Sequence, residues 1–450
     1  MSNKDDSNLF SGYHGLALNI LQKFDAHVGD RVKIETDSKA LEGILIPRAE
    51  LTTTHDHVVI KLKNGYNLGV HVSKIKSISV IERGRMLRPE LPEIPVSYRE
   101  DAPEVSIVST GGTIASRVDY QSGAVYPALD ARDLYNVVPE LGDYAKLKTR
   151  FLFNIFSENI TPSHWTKLAA EIAKDIQDGV DGIVVTHGTD TMGYSSAALS
   201  FALQNLPVPV VFVGSQRSSD RPSSDAAMNL LSAVITAANA PFAHVVVVMH
   251  GTEDDKFCYC HPGTKVRKNH TSKRDAFRTI NDYPIAKVEN GRIIMLKKDF
   301  VPRDKKRELV LKPKFDNRVA FVKAYPGIPP EIIDFFVDKK YHGIVLEGTG
   351  LGHAPEYLND ALKRAIEEGI PVVMTSQCIW GRINMYVYRT GRQLLNLGVI
   401  PGEDMLPETA YVKLMWVLAQ TRDMKEIRSM MLTNFAGEIT PQTHSKEFLG

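Results

Sequence analysis

The stretch Val105-Ser106-Ile107-Val108-Ser109-Thr110-Gly111-Gly112-Thr113-Ile114-Ala115 decides how this chain is read. A short, largely apolar run enters a Gly-Gly pair that carries a threonine, which reads as a strand, a sharp turn and a presented hydroxyl. The same grammar recurs at Gly182-Ile183-Val184-Val185-Thr186-His187-Gly188-Thr189-Asp190-Thr191. In an open α/β sheet, ligands bind in the crevice outside the carboxyl ends of the strands. Two hydroxyls delivered there, one beside a carboxylate, predict nucleophilic attack on a carbonyl.

Working outward, apolar strand-like segments recur at 208–214, 243–249, 291–296, 318–323, 342–346 and 371–375. Helical spacing fills Pro162–Asp178, Tyr194–Gln204, Ala226–Ala238, Pro330–Lys339 and Glu356–Glu368, and two further helices are expected at Pro407–Thr421 and Asp423–Thr433. Near-continuous apolar strands such as His244-Val245-Val246-Val247-Val248-Met249 are what parallel strands covered on both faces require. Residues 104–300 are therefore expected to form a larger α/β domain. A basic, proline-marked crossing at 301–316 leads to a smaller α/β domain at 317–450.

Upstream the texture differs. A short helix is expected within Tyr13–His27. It is followed by β-prone runs at Arg31–Glu35, Leu41–Ile46, His57–Leu62, Leu68–Val72 and Ile75–Ile81, with a hairpin signal at Asn64-Gly65. Five short strands in about fifty residues predict a small all-β, barrel-like module over 1–86. Prolines 89, 92, 95 and 103 mark 87–103 as an extended linker. The fold class expected is α/β: a two-domain core with parallel sheets behind a small β module.

The chain has 54 basic and 53 acidic residues, so no global charge steers it to nucleic acid or membrane. Cysteines 258, 260 and 378 are too few and odd in number for a disulfide framework. The start, Met1-Ser2-Asn3-Lys4-Asp5-Asp6, lacks the pattern of a secretion signal, and no apolar run reaches the length needed to cross a bilayer. A cytoplasmic protein without membrane contact is expected.

Residue by residue, the chemistry leaves alternatives open. A threonine hydroxyl is a poor nucleophile without a base to take its proton, and either motif could instead be a Gly turn with a helix-capping threonine. His187 with Ser195 or Ser196 suggests a serine–histidine pair, but such a site is recognised by geometry, and a histidine at a strand end is more often structural. Lys265, Lys268 and Lys273 lie in or beside a basic, polar stretch that reads as a solvated loop or as the source of a base. Cys258-Tyr259-Cys260-His261 lacks a second ligand pair at metal-site spacing, so no metal is expected. Gly348-Thr349-Gly350-Leu351-Gly352 lacks the dinucleotide fingerprint, and no Walker A sequence is present.

The two threonine motifs resemble the signatures of bacterial-type L-asparaginases, and the likeness runs from about residue 104 to 435. It includes Val213-Gly214-Ser215-Gln216-Arg217 and Lys268-Asn269-His270-Thr271-Ser272. The resemblance implies an amidohydrolase in which Thr113 attacks the side-chain amide, assisted by Tyr126. It assigns Thr189, Asp190 and Lys268 to a second constellation that handles the proton. Lys268 is preferred to Lys265 because hydroxyl residues follow it at plus three and plus four. Ser157, Glu158, Gly188 and Asp190 would bind substrate, with Ser157 on the α-carboxylate and Asp190 on the α-ammonium. Glu158 departs from the glutamine common in the bacterial enzymes.

An asparaginase-like core behind a β module resembles the D subunits of archaeal glutamyl-tRNA(Gln) amidotransferases. This implies ammonia release from glutamine or asparagine, to convert misacylated Glu-tRNA(Gln) to Gln-tRNA(Gln). It implies an E-subunit partner, a homodimeric core in a heterotetramer, and tRNA(Gln) bound through the complex. No cofactor is expected in this chain; ATP and Mg belong to the partner. The alternatives are a free-standing asparaginase or glutaminase and a non-catalytic docking scaffold.

Overall fold

The computed structural model describes residues 9–10, 13–46, 56–62, 67–84, 101–111, 114, 116–118, 125–127, 134–135, 138–217 and 223–443, with only the backbone of 116–118 and 125–127. It divides into two compact units: Met1–Pro95 with Ser116–Pro127, and Val96–Ala115 with Ala128–Gly450.

In the first unit, helix α1 (Gly15–Lys23) precedes strands β1 (Arg31–Thr36), β2 (Ala40–Leu45), β3 (His57–Lys61), β4 (Asn67–His71) and β5 (Ile75–Glu82). The strands form one antiparallel sheet of order β4-β3-β2-β1-β5. Alternate residues Val32, Ile34, Leu45, Val58, Ile60 and Val70 turn inward, as the two-residue period of a strand dictates, and meet Ala17 and Leu21 of α1. Among the described residues no ladder joins β4 to β5. The Asn64-Gly65 turn and most of the proline-rich linker lie outside the described residues.

The second unit is built on β6 (Glu104–Ser109), β7 (Lys146–Phe151), β8 (Gly182–Thr186), β9 (Val210–Val213), β10 (Val245–His250), β11 (Phe257–Pro262), β12 (Val266–Lys268), β13 (Phe277–Thr279), β14 (Ala286–Glu289) and β15 (Arg292–Met295). Its main sheet runs β15-β14-β11-β10-β9-β8-β6-β7. The five strands from β10 to β7 are parallel, and β11, β14 and β15 extend the sheet in antiparallel fashion. The short pair β12–β13 stands apart from it.

Burial on both faces explains the apolar strands. Val108, Ile183, Val185, Val210, Phe212, Val245 and Val247 pack with helices α2 (Pro162–Gln177) and α3 (Met192–Ala202). The intervening Ile107, Val184, Val211, Val213, Val246 and Val248 pack with α4 (Ala226–Asn239). Each such side chain contributes roughly 1.5–3 kcal/mol when fully buried.

The second sheet, of order β16-β17-β18-β19, is parallel. Its strands are β16 (Val319–Lys323), β17 (Gly343–Gly348), β18 (Val372–Ser376) and β19 (Ile400–Pro401). Helices α5 (Glu331–Asp338), α6 (Asn359–Glu367) and α7 (Arg389–Leu397) cover one face. On the other lies α8 (Pro407–Leu418), wedged against α3 and buried nearly all round, with Trp416 stacked on Phe201. Helix α9 (Met424–Leu432) follows. The segment 301–311 lies along the first sheet's domain: Arg303 donates to the carbonyls of Ala237 and Ala238, and Arg307 to that of Leu206.

Candidate active site

The two threonine motifs leave the carboxyl ends of adjacent parallel strands. Ser109 of β6 pairs in register with Thr186 of β8, and Thr110 donates to the Thr186 carbonyl through both its N–H (3.1 Å) and its hydroxyl (2.8 Å). Gly111 turns at φ +108°, and a Cβ there would lie 2.5 Å from the Ile155 carbonyl oxygen, so only glycine allows the segment leading to Ser157 to cross this strand end. Thr113 lies outside the described residues. Tyr126 is placed by its backbone alone, opposite Arg117 in the hairpin Ser116–Val118 and Val125–Pro127.

The second motif is fully described. Lys268 Nζ donates to Thr189 Oγ1 at 2.9 Å and to Asp190 Oδ1 at 2.8 Å. The lysine side chain is 14% exposed and the aspartate 68%, so the ammonium is largely withdrawn from water while its carboxylate faces it. Such an arrangement links a hydroxyl, an ammonium and a carboxylate within one proton's reach. Lys265 is elsewhere: fully buried, it donates to Asp404 Oδ2 at 2.7 Å. Within the stretch that reads as a solvated loop, Val266–Lys268 form strand β12; Lys265 lies in the turn before it and reaches a different partner from Lys268.

Ser157 is buried and seated against the same motif. Thr191 Oγ1 donates to its carbonyl at 2.7 Å, and a Cβ on Gly188 would come within 2.8 Å of Ser157 Cβ and Oγ. Glu158, one residue on, is exposed. Thus Gly188, Thr189, Asp190, Ser157 and Lys268 share one locality.

Further contacts that support the site are not legible in the sequence. A Cβ on Gly214 would lie 2.8 Å from the His187 carbonyl oxygen and 2.9 Å from Thr189 Cγ2, so the loop after β9 presses on Thr189. That loop is held by buried Asp225, which accepts from the N–H of Gln216 (3.0 Å) and of Arg217 (2.9 Å), while Asn229 Nδ2 donates to the Gly214 carbonyl. The only signal is the Gly214-Ser215-Gln216-Arg217 run itself.

His187 does meet Ser195, at 2.8 Å from Nε2. Trp165 Nε1–H already donates to that serine oxygen, so the serine proton points to Nε2 and the other ring N–H donates to the Gly188 carbonyl at 2.6 Å. Burial pushes the imidazole down to about 4 and keeps it neutral. With no carboxylate on Nδ1, this pair braces the Gly188 turn and is not a serine–histidine–acid triad. Cys258 and Cys260 are buried thiols pushed up to about 12 by desolvation.

Three family descriptions match the chain: Asparaginase, N-terminal over residues 104–300; Glutaminase/Asparaginase C-terminal domain over 318–431; and GatD N-terminal domain over 26–81. The D subunit of the glutamyl-tRNA(Gln) amidotransferase from Pyrococcus abyssi is 55% identical over 435 residues, covering 95% of this chain and 98% of its own. The chain belongs to the family of glutamyl-tRNA(Gln) amidotransferase D subunits. The counterpart from Methanothermobacter thermautotrophicus is 50% identical, over 97% of this chain and all of its own. Among solved structures, the thermostable L-asparaginase from Thermococcus kodakarensis superposes with TM-score 0.68 at 36% identity, covering 75% of this chain and 100% of its own. L-asparaginase I from Vibrio cholerae gives 0.66 at 30%, covering 75% and 99%. Among the described residues, no helix is long and apolar enough to cross a membrane.

Proposed function

We propose that the chain is the ammonia-releasing component of a glutamyl-tRNA(Gln) amidotransferase, hydrolysing the side-chain amide of glutamine or asparagine. The observation that carries this reading is Lys268 joined to both Thr189 and Asp190, in a chain similar to its D-subunit relatives along nearly its whole length. The β module supports it over a free-standing asparaginase, since the solved asparaginases cover only 75% of the chain.

In the reaction, Thr113 Oγ adds to the amide carbon of the substrate. Its proton passes to the Thr189–Lys268–Asp190 group, which returns a proton to the departing nitrogen. Ammonia leaves, and water then cleaves the acyl ester, freeing the amino acid and restoring the Thr113 hydroxyl. Tyr126 assists Thr113. Ser157 holds the substrate's α-carboxylate, Asp190 and Glu158 face its α-ammonium, and Gly188 leaves room for the chain between them. Carboxylates suit an ammonium by charge-assisted hydrogen bonding. The ammonia is consumed by an E subunit that activates Glu-tRNA(Gln) with ATP and Mg, in a cytoplasmic heterotetramer around a dimer of this chain. This chain carries no cofactor of its own.

The test is ammonia release from glutamine and asparagine by wild type, Thr113→Ala and Thr189→Ala, each with correct thermal unfolding. Wild-type turnover that both variants lose supports the reading. Near-normal turnover in Thr113→Ala would remove the nucleophile from this scheme.

A further inference from the structure

Strand β12 carries Lys268 to Thr189 at one end and is fastened to the second α/β domain along its other face. Side chains alternate along a strand, so Arg267 points away from Val266 and Lys268; Lys265, in the turn that enters β12, reaches Asp404. Lys265 Nζ bonds Asp404 Oδ2 at 2.7 Å with both side chains buried. Arg267 Nε lies 3.2 Å from Glu408 Oε1 at the start of α8. Just before them, Thr264 accepts from Thr409 Oγ1 through its carbonyl (2.8 Å) and donates from its hydroxyl to the Ala436 carbonyl (3.1 Å). These four contacts fall on residues 264–267, the turn into β12 and its first two residues.

The return strand is tied to the same place. Ile280 N–H donates to the Lys265 carbonyl at 2.7 Å, and Asn281, next along, donates to the Gly381 and Asp404 carbonyls. Asp404 in turn receives the Thr440 N–H at 3.0 Å and the Thr440 hydroxyl. Residues 435–440 are themselves shaped by buried Glu438, which accepts from the N–H of Phe435 and of Ala436 while paired at 2.6 Å with buried Lys413. The Asp404 and Glu438 carboxylates each accept from several donors, which makes this part of the seat rigid.

We propose that the Lys265–Asp404 pair, with the 435–440 segment bound to the same carboxylate, positions Lys268: it sets through β12 where the ammonium meets Thr189 and Asp190. Lys265 and Asp404 are positioning residues, since neither touches the reacting group. The kinetic part of the inference rests on the amidohydrolase reading above; the geometric part does not.

Two variants and two readouts decide it. Replacing both partners, Lys265→Met with Asp404→Leu, leaves no stranded charge, and such exchanges are commonly tolerated. Glu408→Gln weakens the neighbouring tether without emptying a buried pair. In a crystal structure of the full-length double variant, Lys268 Nζ is expected to leave hydrogen-bond distance of Thr189 Oγ1; Nζ still at about 3 Å overturns the proposal, whatever the activity. In ammonia release by the full chain with its E-subunit partner, Glu-tRNA and ATP, kcat of the double variant should fall about ten- to hundred-fold with KM for glutamine little changed, and Glu408→Gln should fall less in the same sense. Wild-type kcat in the folded double variant overturns it too. If the double variant does not fold, wild-type kcat in Glu408→Gln does so, and a lowered kcat at constant KM supports it. An inactive wild type refutes the amidohydrolase reading instead and leaves the crystallographic distance to decide.

Discussion

At the scale of the residue, two lysines three positions apart have opposite surroundings, and two measurements separate them. Lys268 is a largely covered donor to Thr189 and Asp190, but its carboxylate partner faces water, so Lys268→Ala leaves no buried charge unpaired. We predict a loss of about 10²–10⁴-fold in ammonia release, the usual worth of positioned proton transfer, with Tm within a few degrees of wild type. Lys265→Ala takes from buried Asp404 its nearer cation, leaving Arg382 at 3.5 Å, and removing one member of a buried pair costs about 3–5 kcal/mol. Its Tm should fall steeply, and the stability readout identifies it before any assay does. Should Lys265→Ala melt like wild type while Lys268→Ala is the unstable one, the assignment of the two lysines is reversed. Gly188→Ala is a third probe. Its Cβ would drive into Ser157, so KM for glutamine should rise more than kcat falls, and a glutamine titration with an unchanged KM would remove Ser157 from the substrate's carboxylate.

At the scale of the element, the loop after β9 should be as intolerant as the second threonine motif it touches. Gly214→Ala places a methyl against the His187 carbonyl oxygen and Thr189 Cγ2, both under 3.0 Å. The carbonyl belongs to the motif backbone and cannot swing away, so kcat should fall about tenfold or more; an active, stable Gly214→Ala would show that the loop yields. The apolar strands β8, β9 and β10 and helices α2 and α4 were legible in the sequence because burial on both faces writes long hydrophobic runs and helical spacing. Strand β7 was not: Lys146, Lys148 and Arg150 alternate along the sheet's edge, where Arg150 pairs with Glu171 and Asp175 and Lys148 with Asp178. Strand β12 was hidden for a related reason, since Lys265 and Arg267 read as solvated charges while their partners, Asp404 and Glu408, are well over a hundred residues away. The threonine motifs could be read from local spacing, and Ser157 from the resemblance to the asparaginases. The Asp225 brace and the His187–Ser195–Trp165 chain could not, because only the fold joins them.

At the scale of the whole molecule, two linked equilibria can be measured. Burial holds His187 and His244 down at about 4 and His261 at about 3, against 6.5 in an open chain. Below 6.5 the unfolded chain therefore binds protons that the folded one refuses, and stability, highest above 6.5, is lost as the pH falls toward 4. His261→Asn should remove close to one of the protons taken up on unfolding between pH 6.5 and 4, measured from the pH dependence of the unfolding free energy; an unchanged slope would mean His261 is charged when folded. The second equilibrium concerns the site itself. Asp190 is 68% exposed beside a largely covered Lys268, and an ion pair open to water on one side has little strength. Excluding water would strengthen every charge interaction in the site, and a partner that binds the closed arrangement better would shift the protein toward it. We therefore predict slow ammonia release by the isolated chain, and release at least about tenfold faster when the E subunit, Glu-tRNA(Gln) and ATP are all present, a shift that needs about 1.4 kcal/mol of differential binding. The binary complex without tRNA should stay near the isolated rate, because ammonia made before an acceptor is ready is lost to solvent. Equal rates for isolated chain, binary complex and full assembly would sever hydrolysis from tRNA charging and make this chain an amidohydrolase that works alone.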